Sequence, residues 1–212
     1  MVSHVSEDAP EQSTAARTLK ELPLLLIAAG IIAFLIKSLI AQAFFIPSES
    51  MLPQLEVDDR VVVSKISYRL HEPRRGDIVV FDSPHQAPQL PDRSNPVVKV
   101  YRKIGKGVGL IQPSTEEYIK RVVGLPGDVI DIKDGKVYVN GRELIEPYLA
   151  PGTFTFPGSI KLPITIPKGK LWVMGDNRGN SSDSRGFGAI DKKKVVGRTI
   201  LKVWPLRSMS FL

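Results

Sequence analysis

The sequence contains no cysteine. Disulfides, thiolate nucleophiles and cysteine-ligated zinc or iron–sulfur sites are therefore excluded, and the redox compartment is left open. Histidine is scarce: His4, His71 and His85 make up the full set of 3, none within a local catalytic motif. A Ser-His-Asp triad is poorly provided for. Beyond one apolar run there is no long helical pattern, and no internal repeat. Basic residues outnumber acidic ones 29 to 22, a formal net charge of +7. The densest basic run, Lys99-Val-Tyr-Arg-Lys-Ile-Gly-Lys106, holds a single aromatic and matches no RNA- or DNA-binding signature. No nucleic-acid partner is expected; the excess charge suits a surface beside anionic lipid headgroups.

What the chain does have is an apolar stretch from Leu22 to Ile46. At about 25 residues it exceeds the roughly 20 needed to cross a hydrocarbon core. Pro23 suits a first helical turn, where its missing N–H costs nothing. Lys37, Ser38 and Gln42 interrupt the run; Lys37 could snorkel to an interface or face a partner helix. Ala41-Gln42-Ala43 fits the small-x-small pattern of a cleavable signal peptide. The run is longer than such peptides use, however, and a cut there would leave Phe44-Phe45-Ile46 as an apolar new terminus. The expectation is a polar tail over residues 1–21 and an uncleaved, single-pass transmembrane anchor over 22–46. Arg17 and Lys20 lie closer to the span than Arg60 and Lys65, which leans toward a cytoplasmic N-terminus and an extracytoplasmic body. The bilayer is expected to be the cell membrane, with a thylakoid membrane as the alternative.

Residues 47–212 read as a mainly β body. The 17 prolines and 17 glycines supply many turns, and short β-branched runs lie between them. Strands are expected at Arg60–Ser64, Asp77–Phe81, Tyr118–Val123, Val129–Ile132, Lys136–Val139, Leu171–Met174 and Val195–Val203. Arg74-Arg75-Gly76 should turn the first into the second. Asp134-Gly135 and Asn140-Gly141 are hairpin turns, because Gly, Asn and Asp tolerate the positive φ that such turns need. Residues 83–113, rich in proline, glycine and polar groups, look like an insertion, with a possible strand at Val97–Tyr101.

Three blocks could carry chemistry. In Pro47-Ser48-Glu49-Ser50-Met51-Leu52-Pro53, an extended backbone would point Ser48 and Ser50 the same way. One hydroxyl could then attack a carbonyl while the other, with a backbone N–H, stabilises the oxyanion. By itself a Ser-x-Ser between prolines is more often a turn. A serine also needs a base. With no histidine in a catalytic motif, a lysine can serve if neutral, which costs about 4.6 kcal/mol at pH 7 from its ordinary pKa and so demands an apolar site. Lys120 fits: on a strand it shares a face with Tyr118 and Val122 while Arg121 projects to the other. The competing reading is an edge-strand lysine reaching water. The third block, Met174-Gly-Asp-Asn-Arg-Gly-Asn-Ser-Ser-Asp-Ser-Arg-Gly-Phe-Gly188, is a loop that satisfies its own backbone with short polar side chains. Asp183 and Arg185 could pair within it. It misses the EF-hand spacing and has no Gly-Lys-Ser/Thr for a phosphate loop.

Together and in this order, IPSESMLPQL, YIKRVVGLPGD and GDNRGNSSDSRGFG resemble the type I signal peptidase family of membrane-bound serine proteases, and RRGDIVVF resembles a further strand of that family. The resemblance runs from Leu22 to Leu206 apart from the insertion. It implies two antiparallel β lobes forming one catalytic body on an N-terminal transmembrane helix, with no cofactor and no metal. It also implies Ser50 as nucleophile, Lys120 as general base, and Ser48 with the Ser50 N–H as the oxyanion hole. Ser181 would orient the lysine, Tyr118 would pack beside the dyad, and Asp183 with Arg185 would form a supporting pair. The implied partners are the bilayer and membrane-tethered preproteins, cut after a small-x-small motif. Gln54 and Gly179 depart from the residues common in that family.

Other serine–lysine enzymes fit less well. Penicillin-binding proteins use S-x-x-K, absent after Ser50, and self-cleaving repressors would lack the anchor. A membrane-stalked, non-catalytic β scaffold of the secretion machinery remains the alternative. Phe154 and Phe156 are open to three roles: lipid contact, solvent exposure or core.

Overall fold

The computed structural model describes residues 21–32, 40–84, 95 and 117–212. The chain divides into two compact units, Met1–Leu39 and Ile40–Leu212. In the first, residues 21–32 are helical, and Leu22, Leu24, Leu25, Leu26 and Ile27 are all exposed. Among the described residues no helix is long and apolar enough to cross a membrane. Most of the insertion, its Val97–Tyr101 strand, the Lys99–Lys106 run, His4 and His85 lie outside the described residues.

The second unit is mainly β and antiparallel. Its strands are β1 (Ala41–Phe45), β2 (Arg60–Ser64), β3 (Ile78–Asp82), β4 (Glu117–Gly124), β5 (Val129–Lys133) and β6 (Lys136–Val139). They continue with β7 (Arg142–Glu143), β8 (Ile164–Thr165), β9 (Lys170–Met174), β10 (Ile190–Asp191), β11 (Val195–Trp204) and β12 (Ser210–Phe211). An eight-stranded sheet runs β1-β2-β11-β3-β4-β9-β10, with β12 also on β11; a four-stranded sheet runs β7-β6-β5-β8.

The anchor expected over 22–46 is overturned at its end. Ala41–Phe45 is a strand, paired from Ala41↔Ser64 to Phe45↔Arg60. Alternation explains it: Phe44 and Ile46 are buried while Ala43 and Phe45 are not, a period of two that a helix cannot produce. The valines of β2 supply the β-branched face opposite. Ile46 N–H then donates to Asp59 O at 2.9 Å, so a cut after Ala43 would sever a paired strand of the body.

The hairpin signals correspond to the structure. Asp134 and Gly135 have φ of 51° and 76°, Asn140 and Gly141 of 53° and 77°, the paired positive values of a type I′ turn. The turn expected to lead β2 directly into β3 does not pair them. A helical turn at Ser67–Leu70 intervenes, and β11 lies between the two strands. Gly197 of β11 packs tightly against β2: a Cβ there would collide with the Ser64 carbonyl and the Val63 side chain. Gly197→Ala is expected to destabilise the body by about 1–3 kcal/mol, read as a lower denaturant midpoint at unchanged slope. Phe154 and Phe156 are exposed, with ring centroids 4.8 Å apart.

Candidate active site

Burial on β4 explains how a lysine comes to face apolar surroundings. β4 pairs with β3 along one edge and, from Arg121 onward, with β9 along the other, so its middle is covered. Lys120 is only 4% exposed. Its Nζ lies 2.7 Å from Ser50 Oγ and donates to the Ile119 carbonyl at 2.8 Å. Both partners are neutral oxygens. Desolvation lowers its pKa from 10.5 to about 8, although Asp183 and Asp176 pull the other way. The Tyr118 ring, on the same face, stands 5.5 Å from Nζ.

Ser50 arrives on a different local structure from the extended one expected. Glu49–Met51 is a 3₁₀ turn, closed by Leu52 N–H on Glu49 O at 3.1 Å. Ser48 just before it is extended, with φ −141° and ψ 158°. The turn arises because Met51 and Leu55 are both fully buried and Leu55 N–H bonds back to Met51 O at 2.9 Å. The two serines still converge, their Oγ atoms 3.3 Å apart.

The loop after β9 closes over the other side. Asn177 N–H donates to Ser50 O at 3.1 Å, and its side-chain amide to Glu49 O at 3.2 Å. Asp183 accepts from Arg185 Nε at 2.8 Å and Nη2 at 2.7 Å, and from the Gly175 N–H at 3.1 Å. The Asp183–Arg185 pair thus ties the end of the loop to its start. Ser181 Oγ is buried without a hydrogen bond. It abuts Gly175, as does the Ser50 carbonyl, and the bond to Lys120 implied by the resemblance is not made. His71, the one histidine among the described residues, has its Nδ1 against Glu72 O and does not line the cleft.

These elements border a cleft of about 470 Å³, lined by residues 44–50 on one wall, 117–120 on another, and Asn180 and Ser182 at the loop. Asn177 and Gly175 are the site residues missed from the sequence. Their signal was a Gly-Asp-Asn directly after a strand, too short to separate from an ordinary turn.

Residues 19–204 match the family model for signal peptidase, peptidase S26. The chain belongs to the S26 signal peptidase family. It is 36% identical over 203 residues to a probable signal peptidase I-2 of Synechocystis, covering 95% of this chain and 81% of that one. It is 37% identical over 183 residues to the signal peptidase I of Leptolyngbya laminosa, covering 86% and 78%. A thylakoidal processing peptidase 1 of Arabidopsis thaliana is 33% identical over 84% of this chain and 46% of its own length.

Proposed function

We propose that this S26 family member is a membrane-bound serine endopeptidase that removes signal peptides from exported preproteins. The observation that carries the reading is the 2.7 Å approach of Lys120 Nζ to Ser50 Oγ inside an apolar wall. In the neutral amine, Nζ keeps its N–H on the Ile119 carbonyl and turns its lone pair to the Ser50 hydroxyl. Ser50 Oγ attacks the scissile carbonyl carbon as Lys120 takes its proton. The oxyanion is held by the Ser48 hydroxyl and the Ser50 N–H. Collapse breaks the C–N bond, and Lys120 returns the proton to the leaving amine. A water, deprotonated by the same amine, then hydrolyses the ester and frees Ser50. Tyr118 screens the amine from water, and the Asp183–Arg185 pair holds the loop closed over the dyad.

An extended precursor would lie along one of the two strands that border the cleft. Among the described residues β1 pairs with β2, and the pairing of β4 with β9 begins at Arg121; residues of β1 and of β4 line the cleft. Backbone pairing there would supply affinity without sequence preference, and pockets between alternate side chains would supply selectivity. Shallow pockets beside Ser50 would select small side chains at the first and third positions before the cut. The chain would be laid out as a cytoplasmic tail over 1–21, a single-pass anchor beginning at Leu22 and ending before β1, and an extracytoplasmic body. The thylakoid relative keeps an internal photosynthetic membrane open beside the cell membrane.

The test is incubation of the full-length, detergent-solubilised protein with a preprotein bearing a small-x-small site. Wild type should release the mature form, and Ser50→Ala should lose on the order of 10³-fold or more in rate. With an amine pKa of about 8, about a tenth is neutral at pH 7. The rate should therefore climb roughly tenfold per unit below pH 8 and level off above it. Intact precursor with wild type, equal processing by Ser50→Ala, or a flat profile into acid would refute the proposal.

A further inference from the structure

Asp176, Asn177 and Arg178 follow one another in the loop, and they do different things. The middle one, Asn177, holds the backbone of Ser50 and Glu49. The outer two are buried charges, each gripped from elsewhere. Asp176 receives Arg121 Nε at 2.8 Å and Nη2 at 2.6 Å, and Arg121 is the strand neighbour of Lys120. Arg178, with a fully buried side chain, donates to Glu146 Oε2 at 3.0 Å and also to Oε1, to Thr155 Oγ1 at 3.0 Å and to Gly175 O at 3.1 Å. Tyr148 closes the circuit. Its ring lies 3.9 Å from the Arg121 guanidinium and its hydroxyl donates to Glu146 Oε1 at 2.7 Å. Burial and the adjacent Glu146 push that hydroxyl's pKa upward, which keeps it a donor.

We propose that Glu146 and Tyr148, on the segment leaving the four-stranded sheet after β7, are positioning residues for the Ser50–Lys120 pair. They act through the clamp on Asp176 and Arg178, and the inference rests on the proteolytic reading above. The physical case is one of competition. Arg178 and Arg121 are two buried guanidinium groups, each paired with its own carboxylate, and the charges of both Arg121 and Arg178 bear on Asp176, as does that of Glu146. Each stays with its own partner only while both carboxylates are present, because an unpaired buried charge is costly. Without the Glu146 charge, Arg178 is drawn toward Asp176, one peptide from Asn177. The Asn177 N–H would then shift relative to the Ser50 carbonyl, and a displacement of about 1 Å can cost on the order of a hundredfold in rate. Tyr148 sets the direction of that clamp, since its ring bears on Arg121 while its hydroxyl bears on Glu146.

The experiment compares full-length Glu146→Gln, Tyr148→Phe and their double variant with wild type and Ser50→Ala, in the preprotein assay with thermal melting in parallel. Glu146→Gln should lower kcat by about 10- to 100-fold with KM within about twofold, in protein that is still folded at the assay temperature. Tyr148→Phe keeps the ring and removes one hydrogen bond, so kcat should fall by about 3- to 10-fold. The double variant should be no worse than Glu146→Gln, because both changes break one link. A purely architectural role predicts instead a loss that follows the unfolded fraction, with kcat per folded molecule unchanged. That result overturns the inference, as does kcat within twofold of wild type for Glu146→Gln. If Glu146→Gln fails to fold, Tyr148→Phe decides by the same criteria, with unchanged kcat counting against the proposal. An inert wild type, or an active Ser50→Ala, would sink the proteolytic reading itself. An active wild type beside a fully active Glu146→Gln would sink only the positioning role.

Discussion

Lys120→Met is expected to abolish preprotein cleavage, by a factor on the order of 10³ or more, while making the folded body more stable at neutral pH. The two effects have one cause. Lys120 is 4% exposed, and burial lowers its pKa from 10.5 to about 8. The native state therefore binds this proton less readily than the unfolded chain does. Between about pH 8 and 10.5 the unfolded chain carries a proton that the native state lacks, so this contribution to stability rises with pH across that window. Below about pH 8 both states are protonated, and the native state bears the whole cost of a buried ammonium. Methionine fills a similar volume with no charge to bury, and each unit by which burial lowers the amine pKa corresponds to about 1.4 kcal/mol against the charged form. The gain should be largest at pH 7 and shrink toward pH 10. Denaturant midpoints of the two proteins at both pH values, taken beside precursor cleavage, check it. A midpoint gap that does not change with pH would contradict a depressed lysine. Cleavage within tenfold of wild type would contradict its role as base.

Gly175→Ala should produce the second large effect, through backbone rather than charge. A Cβ at Gly175 would run into both the Ser50 carbonyl and the Ser181 side chain. The carbonyl belongs to the 3₁₀ turn held by buried Met51 and Leu55, and it cannot rotate away as a flexible side chain could. The loop itself must retreat, and with it the Asn177 N–H that grips Ser50. We expect kcat to fall by about a hundredfold and stability to fall by about 1–3 kcal/mol. Single-turnover cleavage and a melting curve read the two separately. A variant within threefold of wild-type kcat at unchanged melting temperature would mean that the loop does not set the nucleophile's position.

Much of the body was legible because its signals are local. Val-rich runs marked β2, β3 and β11, and the Asp-Gly and Asn-Gly pairs marked the turns on either side of β6. Period-two reasoning on β4 put Lys120 and Tyr118 on one face, and the structure has them there. Other features depend on partners distant in the chain. Within the apolar run from Leu22 to Ile46, residues 22–32 are helical and Ala41–Phe45 is a strand, and it is pairing with the distant β2 that makes the latter a strand. Ser48 and Ser50 converge on a turn rather than an extended segment, because Met51 and Leu55 are drawn into the core. Ser181 was assigned a bond to Lys120 by resemblance, yet its hydroxyl lies buried against Gly175 without a partner.

By itself the chain's order of residues determined its class: a cysteine-free, mainly β body carrying serine, lysine and glycine-rich blocks in a family's sequence. Such patterns survive in one dimension, since propensity, turn chemistry and alternation act over a few residues. Only the tertiary structure decided that β11 enters between β2 and β3. Only it, too, brought the amine at 120 to 2.7 Å from the hydroxyl at 50, and Glu146 to Arg178 in the loop whose Asn177 N–H meets the Ser50 carbonyl. Desolvation and close approach arise between segments tens of residues apart, where no short stretch of sequence contains both halves of the interaction.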